Sequence, residues 1–379
     1  MSASVKILQC IRQGLVGGGE THLLSLMTHI DRSKFAPHVL SFTDGPMIDQ
    51  LRALDVPVEI IETTKAFDWK VWSQIKRLIA SHNFELAHAH GTRAASNILL
   101  PCRKLKVPML YTIHGWSFHQ DQKKLVYALR KAGERYICRR SAANISVSAS
   151  NQETGLKEIG TSFRSTVINN GIDPQKFDPQ NKFHDVRTEL GLGPNDVVFL
   201  FLARFTNHKQ PLTLIRAFSK IAKDFPETKL LMVGEGDQRK EGEQLASQLQ
   251  LEQRIVFSNF RNDVPAVLAA ADVYVLPSLW EGLPIGLLEA MAMEKAVIGT
   301  NVDGTREVLE HNVNGILAET TQRVDDLARA LAGLAANPSK RQELGKKARQ
   351  SILTKYDVLS SSNKCNGEFS LSGRSEAKA

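Results

Sequence analysis

Short apolar runs typical of β-strands alternate with longer amphipathic runs typical of helices along almost the whole chain, and no other feature constrains the fold as strongly. The alternation is interrupted once, at residues 169–185, where Gly, Pro, Asn and Asp predict a turn-rich linker. Strand–helix alternation favours parallel sheets that are covered by helices on both faces. The sequence therefore predicts an α/β protein of two doubly wound Rossmann-like domains in tandem, with an interdomain cleft.

The expected domains are residues 1–180 and 181–357. Residues 358–379 are rich in Ser, Asn, Gly and charge and show no amphipathic period, so we expect a disordered tail. Strands are predicted at 5–11, 38–42, 58–61, 86–90, 109–113 and 144–147, and then at 197–203, 229–233, 255–257, 273–276, 296–299 and 315–317. Helices are predicted at 20–28, 47–54, 69–81, 94–105 and 125–139, and later at 324–335 and 340–353.

Cysteine usage and hydropathy exclude several classes of protein. The four cysteines are far apart and form no C-x-x-C pair, which argues against a zinc knuckle or a disulfide framework and fits a reducing compartment. The N-terminus shows no signal-peptide core, and the longest apolar run, residues 197–203, is far too short to span a bilayer. We therefore expect a cytoplasmic location.

Positive charge is concentrated in the first half of the chain, which suggests an anionic partner for that half. Residues 1–170 hold 22 Lys and Arg against 13 Asp and Glu, whereas the remainder holds 26 against 27. Residues 122–140 predict a basic amphipathic helix, which either docks peripherally on an anionic membrane surface or covers a sheet with its charged face outward. Its apolar stripe comprises Leu125, Val126, Leu129, Ala132, Tyr136 and Ile137. Nucleic acid is not an expected partner, because the basic residues are not interleaved with aromatic ones.

Two glutamates in the second half flank a helix start. Glu281 and Glu289 are separated by seven residues, and Pro284 between them fits the first turn of a helix. A helix N-terminus attracts phosphate, and carboxylates accept hydrogen bonds from hydroxyls, so the segment suits a ligand with a diphosphate and sugar hydroxyls. Arg204 and Lys209, after an earlier strand, could neutralise the diphosphate. Solvated glutamates and two ordinary surface cations are the alternative interpretation.

Glycines and a histidine follow predicted strands of the first half. Gly17 and Gly18 open the first helix and could bring backbone N–H groups close to an anion, or they could form only a tight turn. His114 could hydrogen-bond a ligand or move a proton, or its ring could be satisfied by backbone groups. His88 and His90 lie on one face of a predicted strand and are not interpreted as metal ligands.

In this order the motifs resemble those of the retaining glycosyltransferases of family 4, which have the GT-B fold. The resemblance extends from about Val5 to about Tyr356, and the segment that ends Leu-Leu-Glu289-Ala-Met-Ala is its strongest part. The matching motifs are Gly17-Gly18, Thr112-Ile113-His114-Gly115, Asn170-Gly171-Ile172-Asp173, Arg204 with Lys209, Val233-Gly234-Glu235-Gly236, Glu281 with Glu289, and Gly304-Thr305-Arg306-Glu307-Val308.

The resemblance implies a role for each matching residue. Glu289 would bind the ribose hydroxyls of a nucleotide, and Glu281 would hold the donor sugar. Arg204 and Lys209 would neutralise the diphosphate as it becomes the leaving group, and His114 would contact the donor sugar. The segment expected to bind the donor with Glu281 comprises Gly282, Leu283, Pro284, Ile285, Gly286 and Leu287, and Gly234 would also bind the donor. The loop expected under the phosphate or the acceptor comprises Gly17 and Gly18.

The chain departs from the family pattern in three places. Ala203 and Gln210 stand where the family usually has glycines, and Asp303 precedes Gly304 where the family often has two glycines. The segment after Asp357 does not match the family's last helix, so domain closure could be weaker.

The resemblance implies an enzyme that transfers a hexose with retention, without a metal or another cofactor. Its donor would be a UDP- or GDP-sugar, and its acceptor a lipid-linked or cell-surface glycan of the lipopolysaccharide, capsule or exopolysaccharide type. Two alternatives stay open: a nucleotide-sugar 2-epimerase of the same fold, and a catalytically impaired nucleotide-sugar-binding protein.

Overall fold

The protein folds into two compact α/β units. The computed structural model describes residues 4–15, 17–119, 122–320 and 323–374, without the side chains of 371–374. The first unit contains the residues up to Gly171 and those from Val358 on, and the second is Ile172–Asp357. The expected limits were 1–180 and 181–357. Residues 172–180 therefore belong to the second unit, and the C-terminal segment belongs to the first.

The first unit is built on a parallel sheet of seven strands. The strands are β1 Val5–Ile11, β2 Phe35–Ser41, β3 Val58–Ile60, β4 Leu86–His90, β5 Met109–Ile113, β6 Ala143–Ser146 and β7 Thr166–Val167, in the order β3-β2-β1-β4-β5-β6-β7. The helices before the second unit are α1 Gly18–His29, α2 Pro46–Ala53, α3 Trp69–His82, α4 Thr92–Lys104, α5 Lys124–Cys138 and α6 Ala149–Glu158. Strand order reverses between the neighbours β1 and β4, and such a switch point opens a crevice at the carboxyl ends of the strands. The residues that follow β1, β4 and β5 therefore lie at one edge of the sheet.

The second unit repeats this plan with a parallel sheet of six strands. The strands are β8 Val197–Leu202, β9 Thr228–Val233, β10 Ile255–Ser258, β11 Val273–Leu276, β12 Ala296–Thr300 and β13 Ile316–Ala318, in the order β10-β9-β8-β11-β12-β13. The helices are α7 Val186–Glu189, α8 Pro211–Ile221, α9 Arg239–Gln248, α10 Val264–Ala269, α11 Ile285–Ala292, α12 Asp303–Val308, α13 Arg323–Ala336 and α14 Pro338–Lys355. The switch point lies between β8 and β11, which pair at Val273 and Phe199.

Continuous apolar runs explain why the strands could be predicted. All but the last residue of β8 are buried, as expected for a strand that is covered on both faces. Phe199 and Phe201 pack with Leu214 and Phe218 of α8 in one core. The predicted strands are confirmed to within a few residues, whereas β7 and the helices α6, α7, α9, α10 and α12 were not predicted. Among the described residues, no helix combines the length and the apolar character needed to cross a membrane.

The expected disordered tail is wrong over the described residues 358–374, which form α15 Val358–Arg374. Val358, Ser362, Cys365 and Phe369 are buried on one face of this helix, at spacings of four, three and four residues. Phe369 is fully buried, with its ring 5.5 Å from the ring of Phe35. The amphipathic period of this helix was missed because one of its four buried positions is a serine. Residues 375–379 of the expected tail lie outside the described residues.

Candidate functional site

An ion pair bridges the two loops at the switch point of the second unit. Lys209 follows β8, and its Nζ lies 2.5 Å from Oε1 of Glu281, which follows β11. The two side chains are 17% and 8% exposed. The structure thus brings together two predicted site residues that stand 72 positions apart in sequence.

Neighbouring contacts fix the position of this pair. The rings of His208 and Trp280 stack, with centroids 3.4 Å apart and planes at 9°. Nε2 of His208 lies 2.5 Å from the carbonyl oxygen of Trp280. Burial by itself raises the pKa of Glu281, but the charges of Lys209 and His208 and the hydrogen bond from Lys209 outweigh it and lower that pKa. Glu281 is therefore an ionised, buried carboxylate beside a cation.

Glu289 is electrostatically different from Glu281. It lies in α11 and is 8% exposed. Burial raises the pKa of Glu289 to about 7, and the charge of Lys176 offsets only part of this rise. Within the described part of the chain, no residue donates a hydrogen bond to this carboxylate. Its oxygens are available as acceptors for a ligand.

Close backbone packing places the segment between the two glutamates. Pro284 is the N-cap of α11 and accepts the N–H of Leu287, while the N–H groups of Ile285 and Gly286 belong to the first turn, which has no intrahelical acceptor. A Cβ at Gly286 would lie 2.7 Å from the hydroxyl oxygen of Tyr274. Gly286 is therefore required by the strand that α11 covers.

The helix α12 supports the loop that holds Glu281. The N–H of Gly304 donates to the carbonyl oxygen of Glu281 at 3.2 Å. A Cβ at Gly304 would lie 2.0 Å from the carbonyl oxygen of Gly282. Asp303 opens α12 and accepts from Arg306 at 3.0 Å. Gly304, which matches the family pattern, is thus the residue that contacts the loop. Asp303, which departs from the pattern, is the acidic first residue of α12.

The loop after β9 packs against the loop after β8. Gly234 has a φ of +136°, and a Cβ there would lie 2.2 Å from the carbonyl oxygen of Ala203. Arg239 donates to the carbonyl oxygens of Gly234 and Ser258, both at 2.8 Å, and thereby connects the start of α9 with the loop after β9 and the end of β10. Arg204 lies exposed in the loop after β8. Sequence reasoning missed Arg239, because its partners are backbone oxygens that leave no motif.

The remaining predicted residues meet at the switch point of the first unit. Gly17 is the N-cap of α1, Gly18 is its first residue, and a Cβ at Gly19 would lie 3.5 Å from the ring of His114. Nε2 of His114 lies 3.1 Å from Nδ1 of His90. Burial, followed by the charges of neighbouring histidines, holds the pKa of His114 well below its usual range. His114 is therefore a neutral imidazole at neutral pH.

Polar partners of this edge were missed by sequence reasoning. Glu20 is 1% exposed and pairs with Arg12 at 3.3 Å. His22 of α1 is 9% exposed, and its ring centroid lies 5.0 Å from that of His114. The spacing of residues 12, 20 and 22 matches no binding motif, so only the fold could reveal this group.

The helix α5 exposes its apolar residues. Leu125, Val126 and Leu129 are 73%, 37% and 64% exposed, so the expectation that this stripe could pack inward is wrong for the first half of the helix. Ile137 near its end is buried. Three of its cations instead bind within the unit: Arg130 to Ser117, Lys131 to Glu158 and Arg135 to Ile159.

Comparisons with known proteins match each unit to a glycosyltransferase family model. The model described as Glycosyltransferase Family 4 matches residues 16–176, and the model described as Glycosyl transferases group 1 matches residues 183–351. The chain is 25% identical over 367 residues to an Escherichia coli protein named UDP-Gal:alpha-D-GlcNAc-diphosphoundecaprenol alpha-1,3-galactosyltransferase, and 94% of each chain is covered.

Solved structures of GT-B glycosyltransferases share the fold. Anabaena HepE, solved in complex with UDP and glucose, has a TM-score of 0.85 at 22% identity, over 97% of this chain and 100% of its own. WaaG, a glycosyltransferase involved in lipopolysaccharide biosynthesis, has a TM-score of 0.78 at 17% identity, over 96% and 99%.

Proposed function

Because this chain belongs to glycosyltransferase family 4, we propose that it transfers a hexose, with retention and without a metal, from a UDP-sugar to a lipid-linked glycan acceptor. A GDP-sugar is the alternative donor. The UDP-sugar and the lipid-linked acceptor are supported by the name of the Escherichia coli relative, and UDP also by the HepE complex. The protein is expected at the inner face of the cell membrane, in the assembly of lipopolysaccharide, capsule or exopolysaccharide.

The observation that carries this proposal is the difference between Glu281 and Glu289. An ionised glutamate paired with Lys209 supports a site for an uncharged sugar beside a cation that faces a phosphate. A buried glutamate with available oxygens supports a site for vicinal hydroxyls, such as those of a ribose. The first-turn amides of α11 lie between them in the chain and suit a diphosphate.

Each residue then receives a role in the transfer step. Glu289 binds the ribose, Glu281 orients the sugar, and Gly282–Leu287 with Gly234 complete the donor site. Arg204 and Lys209 neutralise the charge that develops on the diphosphate, which is often the largest contribution to catalysis. By the family resemblance, His114 would contact the sugar, and Gly17 and Gly18 would lie under the phosphate or the acceptor.

The proposed reaction breaks the bond between the sugar's anomeric carbon and the diphosphate oxygen. The acceptor hydroxyl forms the new bond on the same face, and its proton passes to the departing diphosphate. No carboxylate forms a covalent intermediate, in contrast to retaining glycoside hydrolases. The enzyme contributes positioning and the cations of Lys209 and Arg204.

Incubation with a panel of UDP- and GDP-hexoses, with an undecaprenyl-diphosphate-linked sugar as acceptor, tests the proposal. We expect a glycosylated lipid product, identified by mass spectrometry, and release of UDP in the presence of a chelator. Glu281→Gln is the control that should bind UDP but turn over slowly. An epimerised sugar formed without acceptor, or donor binding without product on any acceptor, would contradict transfer.

We further propose that α5 docks on an anionic membrane. Leu125 and Leu129 are exposed beside Lys123 and Lys124, which are exposed as well. Leucines that insert at the lipid boundary and lysines that contact headgroups are the pattern of an interfacial helix. This surface would bring the basic first unit to a lipid-linked acceptor.

Sedimentation with vesicles tests the membrane proposal. We expect binding to vesicles of phosphatidylcholine with phosphatidylglycerol and little binding to phosphatidylcholine alone. Leu125→Ser with Leu129→Ser should weaken binding by at least about tenfold, because each leucine loses its burial in lipid. Leu353→Ser, at a leucine of α14 that is 48% exposed, is the control and should bind like the unchanged protein. Equal binding by the double variant would refute the proposal.

A further inference from the structure

Three histidines from separate elements meet at the switch point of the first unit. His22 comes from α1, His90 ends β4 and His114 follows β5. One ring nitrogen of each lies within 4.8 Å of a ring nitrogen of both others. This group, which we call the histidine triad, has no sequence signature because its members stand 68 and 24 positions apart in the chain.

The distances suit a transition-metal ion. Nδ1 of His90 and Nε2 of His114 are 3.1 Å apart. Ligands of tetrahedral zinc, with Zn–N bonds of 2.0–2.1 Å, are separated from one another by about 3.4 Å. The ring centroid of His22 lies 5.0 Å from that of His114 and 5.7 Å from that of His90. Small rotations of the three rings would therefore place three nitrogens around one ion.

A hydrogen bond to Gln9 fixes the orientation and the tautomer of the His90 ring. Nε2 of His90 lies 2.9 Å from Oε1 of Gln9, a fully buried residue. Since a carbonyl oxygen only accepts, His90 carries its proton on Nε2, and its Nδ1 accepts from the Nε2–H of His114. A change of His114 to its other tautomer would free both lone pairs for an ion. A metal-binding histidine typically donates its other N–H to an oxygen in this way.

His22 supplies an independent observation. Its Nε2 is buried and, among the described residues, has no hydrogen-bond partner. The positive charge of Arg12, which acts on His114, is paired with Glu20.

We propose that the histidine triad binds a transition-metal ion of the zinc class, with the fourth ligand position left to water or to a ligand oxygen. Three imidazoles with one open position form a donor set that zinc accepts. The ion is not required for transfer. It engages the ring of His114, and, if His114 contacts the sugar as the proposed function states, the ion is an inhibitor.

Titration of the full chain with Zn²⁺, in competition with a chromogenic chelator at neutral pH, tests the proposal without any measurement of activity. We expect one tight equivalent that His22→Asn and His114→Asn both weaken by at least tenfold. Gln9→Leu should weaken it by about 10–100-fold, as expected for a residue that orients a ligand. Co²⁺ should give the intense visible bands of a four-coordinate site.

The first unit offers a matched control. His38, Glu59 and His82 form a second group with ring nitrogens and carboxylate oxygens within 4.8 Å. His82→Asn should leave the tight equivalent unchanged, and circular dichroism of the metal-free variants should show that each remains folded. Loss of the tight equivalent in His82→Asn, its retention in the two triad variants, or absence of tight binding in the unchanged protein would overturn the proposal.

Inhibition is measured separately. If transferase activity is found, Zn²⁺ should suppress it and a chelator should restore it. Zinc binding at the triad without inhibition would contradict the role of His114 in the proposed function, while the metal site itself would stand.

Discussion

At the residue scale, the candidate site contains two buried glutamates whose pKa values are shifted in opposite directions. Lys209 keeps Glu281 ionised in spite of its burial, whereas burial raises the pKa of Glu289 to about 7. The sequence predicted both positions, and the family resemblance implied a separate role for each. The sequence could not predict the pKa shifts, because these depend on burial and on Lys176, which lies far away in the chain.

The raised pKa of Glu289 predicts a pH-dependent affinity for UDP. Below about pH 7 the carboxyl is protonated and accepts fewer hydrogen bonds, so affinity should rise several-fold from pH 6 to pH 8. Calorimetric titration across this range measures the effect. Glu289→Gln controls for titration of UDP itself, and an equally steep pH dependence in this variant would contradict the assignment.

The raised pKa of Glu289 also predicts how the stability of the ligand-free protein depends on pH. Because the folded pKa lies above the ordinary value, the stability contributed by neutral Glu289 is present at acid pH and is lost as pH rises through about 7. Glu289→Gln should therefore raise the melting temperature at pH 8 and change it little at pH 5. The opposite order would show that the carboxylate is stabilised in the folded state.

Variants of the ion pair between Lys209 and Glu281 should affect stability and turnover differently. Lys209→Met should lower kcat by about 10²–10³-fold, because the cation proposed to neutralise the leaving group is lost. It should also destabilise the fold by leaving a buried carboxylate unpaired. Adding Glu281→Gln should restore the free energy of unfolding but not kcat. Recovery of turnover in the double variant would exclude the proposed role of Lys209.

At the scale of elements, two helices of the second unit pack closely against neighbouring segments at glycine residues. α11 lies close to β11 at Gly286, and α12 touches the Glu281 loop at Gly304. Both positions need glycine, because a Cβ would lie 2.7 Å from the hydroxyl oxygen of Tyr274 at Gly286 and 2.0 Å from the carbonyl oxygen of Gly282 at Gly304. The sequence pattern marked both positions as motif residues, and the structure supplies the physical reason.

Gly286→Ala is expected to weaken UDP binding by displacing α11 from Tyr274. Overpacking of this kind typically costs about 1–3 kcal/mol. Tyr274→Phe removes the hydroxyl that the new methyl group would meet at 2.7 Å, so the double variant should recover affinity. Calorimetry on the three variants checks this, and failure of Tyr274→Phe to restore binding would mean that the helix itself, not the contact, was damaged.

The helix α15 predicts that the C-terminal segment stabilises the first unit. Phe369 is fully buried against the sheet, and Phe369→Ala should lower the free energy of unfolding by about 3–5 kcal/mol. Leu359→Ala, at a residue of the same helix that is 56% exposed, is the control and should have little effect. Urea unfolding measures both, and equal effects would show that the two faces of α15 are not distinguished.

At the scale of the whole molecule, the sequence was sufficient for the plan of each unit but not for its surfaces. Strand–helix alternation predicted both parallel sheets, because continuous apolar runs such as β8 are covered on both faces. The exposed leucines of α5 and the buried face of α15 were not predicted, since a sequence pattern does not show whether another element covers a given helix face. The histidine triad was missed because its members come from three elements.

Retaining transfer from a nucleotide sugar is the proposed reaction, and the anomeric configuration of the product distinguishes retention from inversion. The lipid-linked product formed from a UDP-hexose with an α-linked sugar should be isolated and its anomeric coupling measured by NMR spectroscopy. An α-glycosidic bond is the predicted result. A β-glycosidic bond would contradict the account, because it requires attack on the face opposite the departing diphosphate.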